Sequence, residues 1–376
     1  MASRPCAIIF RTRVLRWAET FIAAQAAAMT RYEPLFVGVW RDPSGIAMLG
    51  GMRVQLLEDH HAFPGLAKAL LTISRRPPRR WIRAIAATRP QVVHAHFGSS
   101  TALADTVARA LGIPLLVTYH GTDATVVPKS VAQFERRRRA FAAADRIIAV
   151  SAFVAEALTR AGCPEGKITT HHTGVDTARF SPGRATREAA EVLFVGRLVE
   201  VKGVTHLIRA MEVVRRSVRD AHLIIAGDGP LREGLRREAA ERGVPAQFLG
   251  IQTPEQVVRL IRRAAVFCGP SIADARGNAE GLGMTLLEAQ ACALPVVATT
   301  SGGIVECVVP GETGLLSAPG DERALAANLQ VLLEDPALRA RLGTAAQLHV
   351  ERNFDLMRQT VRLEAIYDEL ARRFSH

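Results

Sequence analysis

Between Ala279 and Ala293 the chain reads AEGLGMTLLEAQACA, with two carboxylates, Glu280 and Glu288, eight residues apart. Gly281 and Gly283 between them permit a sharp turn and a close approach of backbone to a ligand. The run that begins at Met284 is made mostly of helix formers. A loop opening a helix is therefore expected, with the amides of Met284, Thr285 and Leu286 as the unpaired N–H groups of its first turn, a setting that favours an anion. Eight residues of helix span roughly 12 Å, whereas a carboxylate pair that shares one bond as acid and nucleophile stands about 5 Å apart. Glu280 and Glu288 suit two grips on a longer ligand, one on each side of its phosphates. Taken alone, the stretch also fits an ordinary amphipathic helix behind a glycine turn.

A second constellation lies upstream. Val192–Val195 reads as a strand that runs directly into Gly196-Arg197-Leu198-Val199-Glu200-Val201-Lys202-Gly203. An arginine and a lysine on one loop at a strand's carboxyl end can clamp a diphosphate, the guanidinium through two parallel hydrogen bonds and the ammonium as a point charge. In the first half, Leu115–Tyr119 ends in His120-Gly121-Thr122-Asp123. Ligands of open α/β sheets bind beyond the carboxyl ends of strands, so His120 stands where a substrate would be. Asp123 could set its protonation or receive an acceptor hydroxyl. His94 and His96 share a strand face but lack a third ligand, so a zinc site is not expected and no metal is assigned.

The elements that must position these groups alternate short apolar runs with helical patterns, as in doubly wound α/β domains. Ala7–Phe10, Leu35–Val39, Val54–Leu57, 91–96, Leu115–Tyr119 and Arg146–Val150 read as strands. A polar stretch with Pro and Gly, 181–190, reads as a linker. The pattern then restarts with 192–195, 221–226, a strand and turn at 248–251, 266–270 and 294–298, and 353–374 reads as a helix. Two domains are expected, 1–182 and 183–354, with the terminal helix, 355–376, packing back on the first. Gly227-Asp228-Gly229-Pro230 is a weak phosphate-loop candidate and a good turn, and 271–278 reads as a flexible stretch.

Composition narrows the class. The 376 residues are 48% hydrophobic, enough for two full cores, and five scattered cysteines without a CxxC pair read as reduced thiols of a cytosolic protein. The apolar run before Arg11 is too short for a signal peptide. Residues 1–182 carry 24 Lys+Arg against 12 Asp+Glu, while the remainder balances at 24 against 24. The excess points to an anionic membrane surface or an acidic substrate. Only 5% of the chain is aromatic, which argues against nucleic acid. Arg75, Arg76, Arg79, Arg80 and Arg83 surround Trp81. They could sit on anionic headgroups with the indole at the interface, or form a solvated turn with Trp81 in the core.

The glutamate stretch, followed by Leu294-Pro295-Val296-Val297-Ala298 and Ser301-Gly302-Gly303-Ile304-Val305-Glu306, resembles the donor-site signature of the retaining, nucleotide-sugar-dependent glycosyltransferases of family 4. Gly196–Gly203 is similar to that family's pyrophosphate loop. His120-Gly121 and the segment Thr173-Gly174-Val175-Asp176, with Phe180, have counterparts there too, although Thr173 stands where an asparagine is usual. The resemblance implies the GT-B architecture, two Rossmann-like domains facing across a cleft. It implies that Glu280 and His120 contact the donor sugar, that Glu288 holds the ribose, that Arg197 and Lys202 stabilise the departing diphosphate, and that the strand and turn at Ile251 cup the base. Ala18-Glu19-Thr20-Phe21 matches a Ser-Glu-Thr-Phe turn of some members. Acceptor or phosphate contacts by Arg13, Glu19 and Thr20 are one reading; a plain helix N-terminus, with Glu19 favoured by the dipole, is the other.

The expected activity is metal-independent, retaining transfer of a sugar from a nucleotide-diphosphate sugar, UDP-linked, which is a co-substrate rather than a bound cofactor. The acceptor would be a saccharide or a lipid-linked saccharide in polysaccharide, glycolipid or other glycoconjugate synthesis, in the cytoplasm or peripherally on the inner face of the cell membrane. A non-catalytic nucleotide-sugar-binding protein and a nucleotide-sugar epimerase of the same architecture are the alternatives. A phosphorylase would need a pyridoxal lysine, and Lys202 is the only lysine after residue 167. A nicotinamide dehydrogenase would need a G-x-G-x-x-G after the first strand, which is absent.

Overall fold

The computed structural model describes residues 4–183 and 187–374 and divides the chain into two compact units, 1–174 with 356–376, and 175–355. The division falls after Gly174 rather than after Pro182. The expected linker 181–190 includes 184–186, which lie outside the described residues.

The first unit holds a seven-stranded parallel sheet in the order Arg53–Leu56, Glu33–Gly38, Cys6–Phe10, Pro90–His96, Leu115–Tyr119, Arg146–Ala149, Ile168–Thr170. Cys6–Phe10 is buried at every position, as a central strand covered by helices on both faces must be. The sheet's order reverses between Cys6–Phe10 and Pro90–His96, so this unit's crevice lies beyond Phe10 and His96.

The helix Leu356–Phe374 belongs to this unit and contributes Leu363, Tyr367 and Leu370 to its core. It is keyed by Glu364, a fully buried carboxylate that accepts the amides of Thr30, Arg31 and Tyr32 at 2.9, 2.7 and 3.0 Å. The helix expected from residue 353 begins at Leu356, because Asn353 ends the preceding helix, Pro336–Asn353. At the break, the Phe354 carbonyl accepts the Val175 amide.

The second unit holds six parallel strands in the order Ala246–Gly250, His222–Ala226, Glu191–Val195, Val266–Gly269, Val296–Thr299, Gly314–Ser317. Its order reverses between Glu191–Val195 and Val266–Gly269. The loops leaving those two strands are 196–203 and 270–283, the two that carry Arg197, Lys202 and Glu280.

Candidate functional site

In the second unit the loops at the reversal point are fastened to each other by glycines that admit no side chain. Gly203, at φ +64°, lies where a Cβ would stand 1.9 Å from the Pro270 carbonyl oxygen, and the Ile272 amide donates to the Val201 carbonyl at 3.0 Å. Gly227, at φ +138°, leaves no room for a Cβ beside the Gly196 carbonyl, and the Leu198 amide donates to the Asp228 carbonyl at 2.9 Å. The Gly227–Pro230 turn therefore supports the Arg197 loop from beneath; its glycines serve close packing of backbone on backbone. From the other side, Gly302 lies against the Glu280 carbonyl, and the Gly303 amide donates to that oxygen at 2.9 Å.

These fastenings bring Lys202 and Glu280 into direct contact, with the Lys202 Nζ donating to Glu280 Oε2. Burial by itself would raise the Glu280 carboxyl; the Lys202 ammonium, that hydrogen bond, the Gly283 amide and Arg197 together hold it below the usual carboxylate range. Lys202 has three N–H donors, so the pair leaves two for a ligand. Arg197 is exposed, and its guanidinium has no hydrogen-bond or ion-pair partner among the described residues.

Gly283 adopts the left-handed backbone, φ +69°, and caps the helix Met284–Ala291. Gly281 is buried without positive φ, so the sharp turn rests on Gly283 alone. The amides of Met284 and Thr285 have no backbone acceptor among the described residues, but that of Leu286 donates to the Gly283 carbonyl at 3.0 Å. The expected trio of free donors is thus a pair, because the first turn tightens to an i to i+3 bond. Glu288 lies in the second turn of this helix. Its carboxylate has no hydrogen-bond partner among the described residues, and burial, opposed only by Arg179, pushes it up to about 8. Ile251 follows Gly250 at a neighbouring strand end and is exposed.

The Ser301 hydroxyl, on the turn that grips Glu280, is buried without a hydrogen-bond partner among the described residues; the Ser301–Gly303 turn was noted in the sequence, but the serine was given no role there. Within the segment 271–278 the Asp274 carboxylate accepts the amides of Arg276 and Asn278 and the Asn278 side chain. Among the described residues no three His, Cys, Asp or Glu side chains gather as a metal-holding set.

In the first unit, His120 lies against Phe21, His96 and Phe97, with ring centroids at 5.0, 5.3 and 4.5 Å. Its Nε2 stands 3.1 Å from His96 Nδ1, so one ring donates and the other accepts. His94 is bonded in turn to Tyr367 Oη at 2.7 Å and Thr118 Oγ1 at 2.6 Å. Burial drives His94 and His120 down to about 3 and His96 well below the usual range. Burial thus favours the neutral imidazole at His120, whose Nδ1 has no hydrogen-bond partner among the described residues.

Asp123 does not set its protonation. That carboxylate accepts the backbone amides of His120, Gly121 and Gly98, at 2.9, 3.1 and 3.0 Å, and so holds the loop. Burial nonetheless raises it against those bonds and that of its own amide. Thr20 opens the helix Thr20–Ala27, and Arg13 is exposed without a partner among the described residues. Glu19 instead turns inward: it takes Arg11 Nη2 at 2.5 Å, Arg11 Nε at 3.2 Å and the Arg16 amide at 3.2 Å. Arg11 is the reason, a buried guanidinium that requires a counter-charge. Arg11 also donates to the His96 carbonyl and Ser100 Oγ and lies 4.4 Å over the Phe97 ring. Phe97 has φ +67°, strained for a bulky side chain. Neither Arg11 nor Phe97 carried a sequence signal.

Trp81 is fully buried and donates to the Gln55 carbonyl at 3.3 Å, which removes it from any interface role. No helix among the described residues is long and apolar enough to cross a membrane.

Comparison with known proteins agrees with this arrangement. The family model "Glycosyl transferases group 1" matches residues 176–349 and "Glycosyltransferase Family 4" matches 15–179. The GDP-mannose-dependent monoacylated alpha-(1-6)-phosphatidylinositol monomannoside mannosyltransferase of Corynebacterium glutamicum is 38% identical over 192 residues, 48% of this chain and 50% of that one. WcaL of Escherichia coli (strain K12), named for a role as a colanic acid biosynthesis glycosyltransferase, is 30% identical over 275 residues, 71% of this chain and 68% of that one. The chain thus spans about half to two thirds of the length of the curated relatives it matches. The crystal structure of Anabaena Alr3699/HepE in complex with UDP superimposes with a TM-score of 0.79 at 18% identity, over 97% of this chain and 100% of that one. With two reversal-point sheets, the paired Lys202 and Glu280, and both halves matched, the chain belongs to glycosyltransferase family 4 and has its GT-B fold.

Proposed function

We propose that this protein is a retaining glycosyltransferase that moves a sugar from a nucleotide-diphosphate sugar to an acceptor hydroxyl in the synthesis of a polysaccharide, glycolipid or other glycoconjugate. The observation that carries the reading is the Lys202–Glu280 pair, set beside an unpaired Arg197 and the two free amides of Met284 and Thr285 on one sheet edge. Those donors would receive the diphosphate, Glu288 the ribose diol and Glu280 the sugar hydroxyls. As the bond from the sugar's anomeric carbon to the diphosphate breaks, Arg197, Lys202 and the amides neutralise the growing negative charge, a fixed electrostatic stabilisation that needs no reorganisation. The acceptor oxygen then bonds to the same face of that carbon, and its proton passes to the departing phosphate oxygen. Glu280, committed to Lys202, is not disposed as a nucleophile. The same positive groups supply what a divalent cation otherwise would, so activity should survive chelation by EDTA.

UDP is our first choice of carrier, since HepE is a UDP complex and matches over nearly the full chain. The relative from Corynebacterium is named for GDP-mannose, so the base is decided by experiment. Calorimetry with UDP, GDP and ADP, on the native protein and on Lys202→Ala and Glu288→Ala, is the direct test. Micromolar binding of one diphosphate that both variants lose would locate the site and choose the base. Binding that neither substitution weakens would sink the assignment of these residues.

A further inference from the structure

The helix Pro64–Ser74 in the first unit buries Ala67 and Leu71, yet its apolar residues extend well past that face. Phe63, Leu66, Leu70 and Ile73 are 68%, 57%, 53% and 82% exposed. Their spacing of three, four and three residues places them on one stripe of a 3.6-residue helix. Scattered exposed hydrophobics are ordinary, but an aligned set marks an interaction surface.

Its surroundings point to the partner. The helix ends at Arg75, in left-handed conformation, and the chain passes through Arg76, Arg79 and Arg80, all exposed and none with an ion-pair partner among the described residues. The next helix, Arg79–Ala86, turns Trp81 and Ile85 inward, which leaves its arginines facing solvent. Both helices pack against Thr101–Leu111, as does Val131–Ala143, which exposes Val131 and Phe134 beside Arg136, Arg138 and Arg139. Apolar side chains bordered by exposed arginines thus recur on one helical layer of the half that carries the whole charge excess, although Arg138 is paired with Glu135 on its own helix.

We propose that this layer, centred on the Phe63–Ile73 stripe, docks the protein peripherally on an anionic membrane surface. The apolar side chains enter the boundary between headgroups and acyl chains while the arginines meet the phosphates. Eleven residues are too few to span a bilayer, so the helix lies in the interface plane. The inference stands on this surface alone and requires neither the donor assignment nor turnover.

Vesicle flotation of the full chain tests it. The protein should float with phosphatidylcholine vesicles containing phosphatidylglycerol at low salt and stay behind with phosphatidylcholine alone. Binding should weaken steeply at high ionic strength. Leu66→Ser with Ile73→Ser should lower partitioning at least about tenfold. Arg75→Ser, Arg76→Ser, Arg79→Ser and Arg80→Ser should cost roughly fivefold for each charge removed. All of these positions are exposed, so the variants should keep the native thermal transition and nucleotide affinity. The proposal is overturned if binding lacks dependence on anionic lipid or if both variants float like the native chain. It is overturned equally if the native protein sediments as a dimer that the Leu66→Ser/Ile73→Ser variant splits, since a second copy would then cover the stripe.

Discussion

The two sheets reverse order at equivalent places, yet the groups at their carboxyl edges are in opposite states of readiness. In the second unit much of the edge is left open: beside the Lys202–Glu280 pair, Arg197 and Glu288 have no hydrogen-bond or ion-pair partner among the described residues, and the Met284 and Thr285 amides have no acceptor there. In the first unit the edge is largely spent on itself: Glu19 on Arg11, Asp123 on three amides, and one nitrogen of His120 on His96. An edge that grips a charged ligand must keep donors uncommitted and accept the cost of their exposure or desolvation. An edge that shapes a wall can satisfy its polar groups internally and gain rigidity. Under the proposed function, charge handling would fall to the second unit and positioning to the first.

The sharpest way to break the comparison is Lys202→Ala. Losing one fixed positive group at the departing charge should lower kcat/KM by about a hundredfold to a thousandfold, read in a transfer assay once a donor is identified. Near-native turnover would show that the open edge is not where charge is handled. Next comes Glu19→Ala, which leaves Arg11 buried without its carboxylate. We expect a loss of about 3 kcal/mol in denaturant unfolding with nucleotide affinity unchanged; an affinity loss in a folded variant would mean the first edge is not merely a wall.

Glu288→Gln probes the open edge through pH. With its carboxyl pushed up to about 8, native affinity for the diphosphate should rise as pH passes through that value, because the ionised form is the stronger acceptor for ribose hydroxyls. The Gln variant should lack the rise and bind several-fold more weakly above it. Stability moves the other way. The folded state holds this proton more tightly than the unfolded state, whose carboxyl titrates near the ordinary glutamate value. The contribution is therefore complete below that value and lost as pH climbs through about 8, and Glu288→Gln should flatten that decline. A pH-independent native affinity would contradict the assignment. The smallest effect is expected for Arg13→Ala, which removes an exposed, unpaired cation from the first edge. Acceptor KM should rise a few-fold without change in diphosphate affinity, and an unchanged KM would remove Arg13 from the acceptor side.

Legibility followed the range of the interactions. The strand–loop–helix order was readable because period, glycine and apolar runs act over a few residues, and even the candidate site loops were marked by local spacing, Arg197 to Lys202 and Glu280 to Glu288. The edge strands Ile168–Thr170 and Gly314–Ser317 were not read, being three and four residues long with half-polar burial. Trp81 was ambiguous because an aromatic in a basic run suits either a lipid interface or a core; only the packing of its helix against Arg53–Leu56 turns it inward.

What the sequence determined by itself was which residue types share a turn, a loop or a strand end, since backbone geometry fixes those neighbours wherever the chain goes. The partners that set each group's chemistry were decided by tertiary structure. Lys202 meets Glu280 across 78 residues, His120 meets His96 across 24, and Glu364 reaches the Thr30–Tyr32 amides across more than 330. Such pairs form only where strand order brings distant ends to one edge, and the burial that leaves Glu288 protonated to about pH 8 and His120 neutral arises from the same assembly.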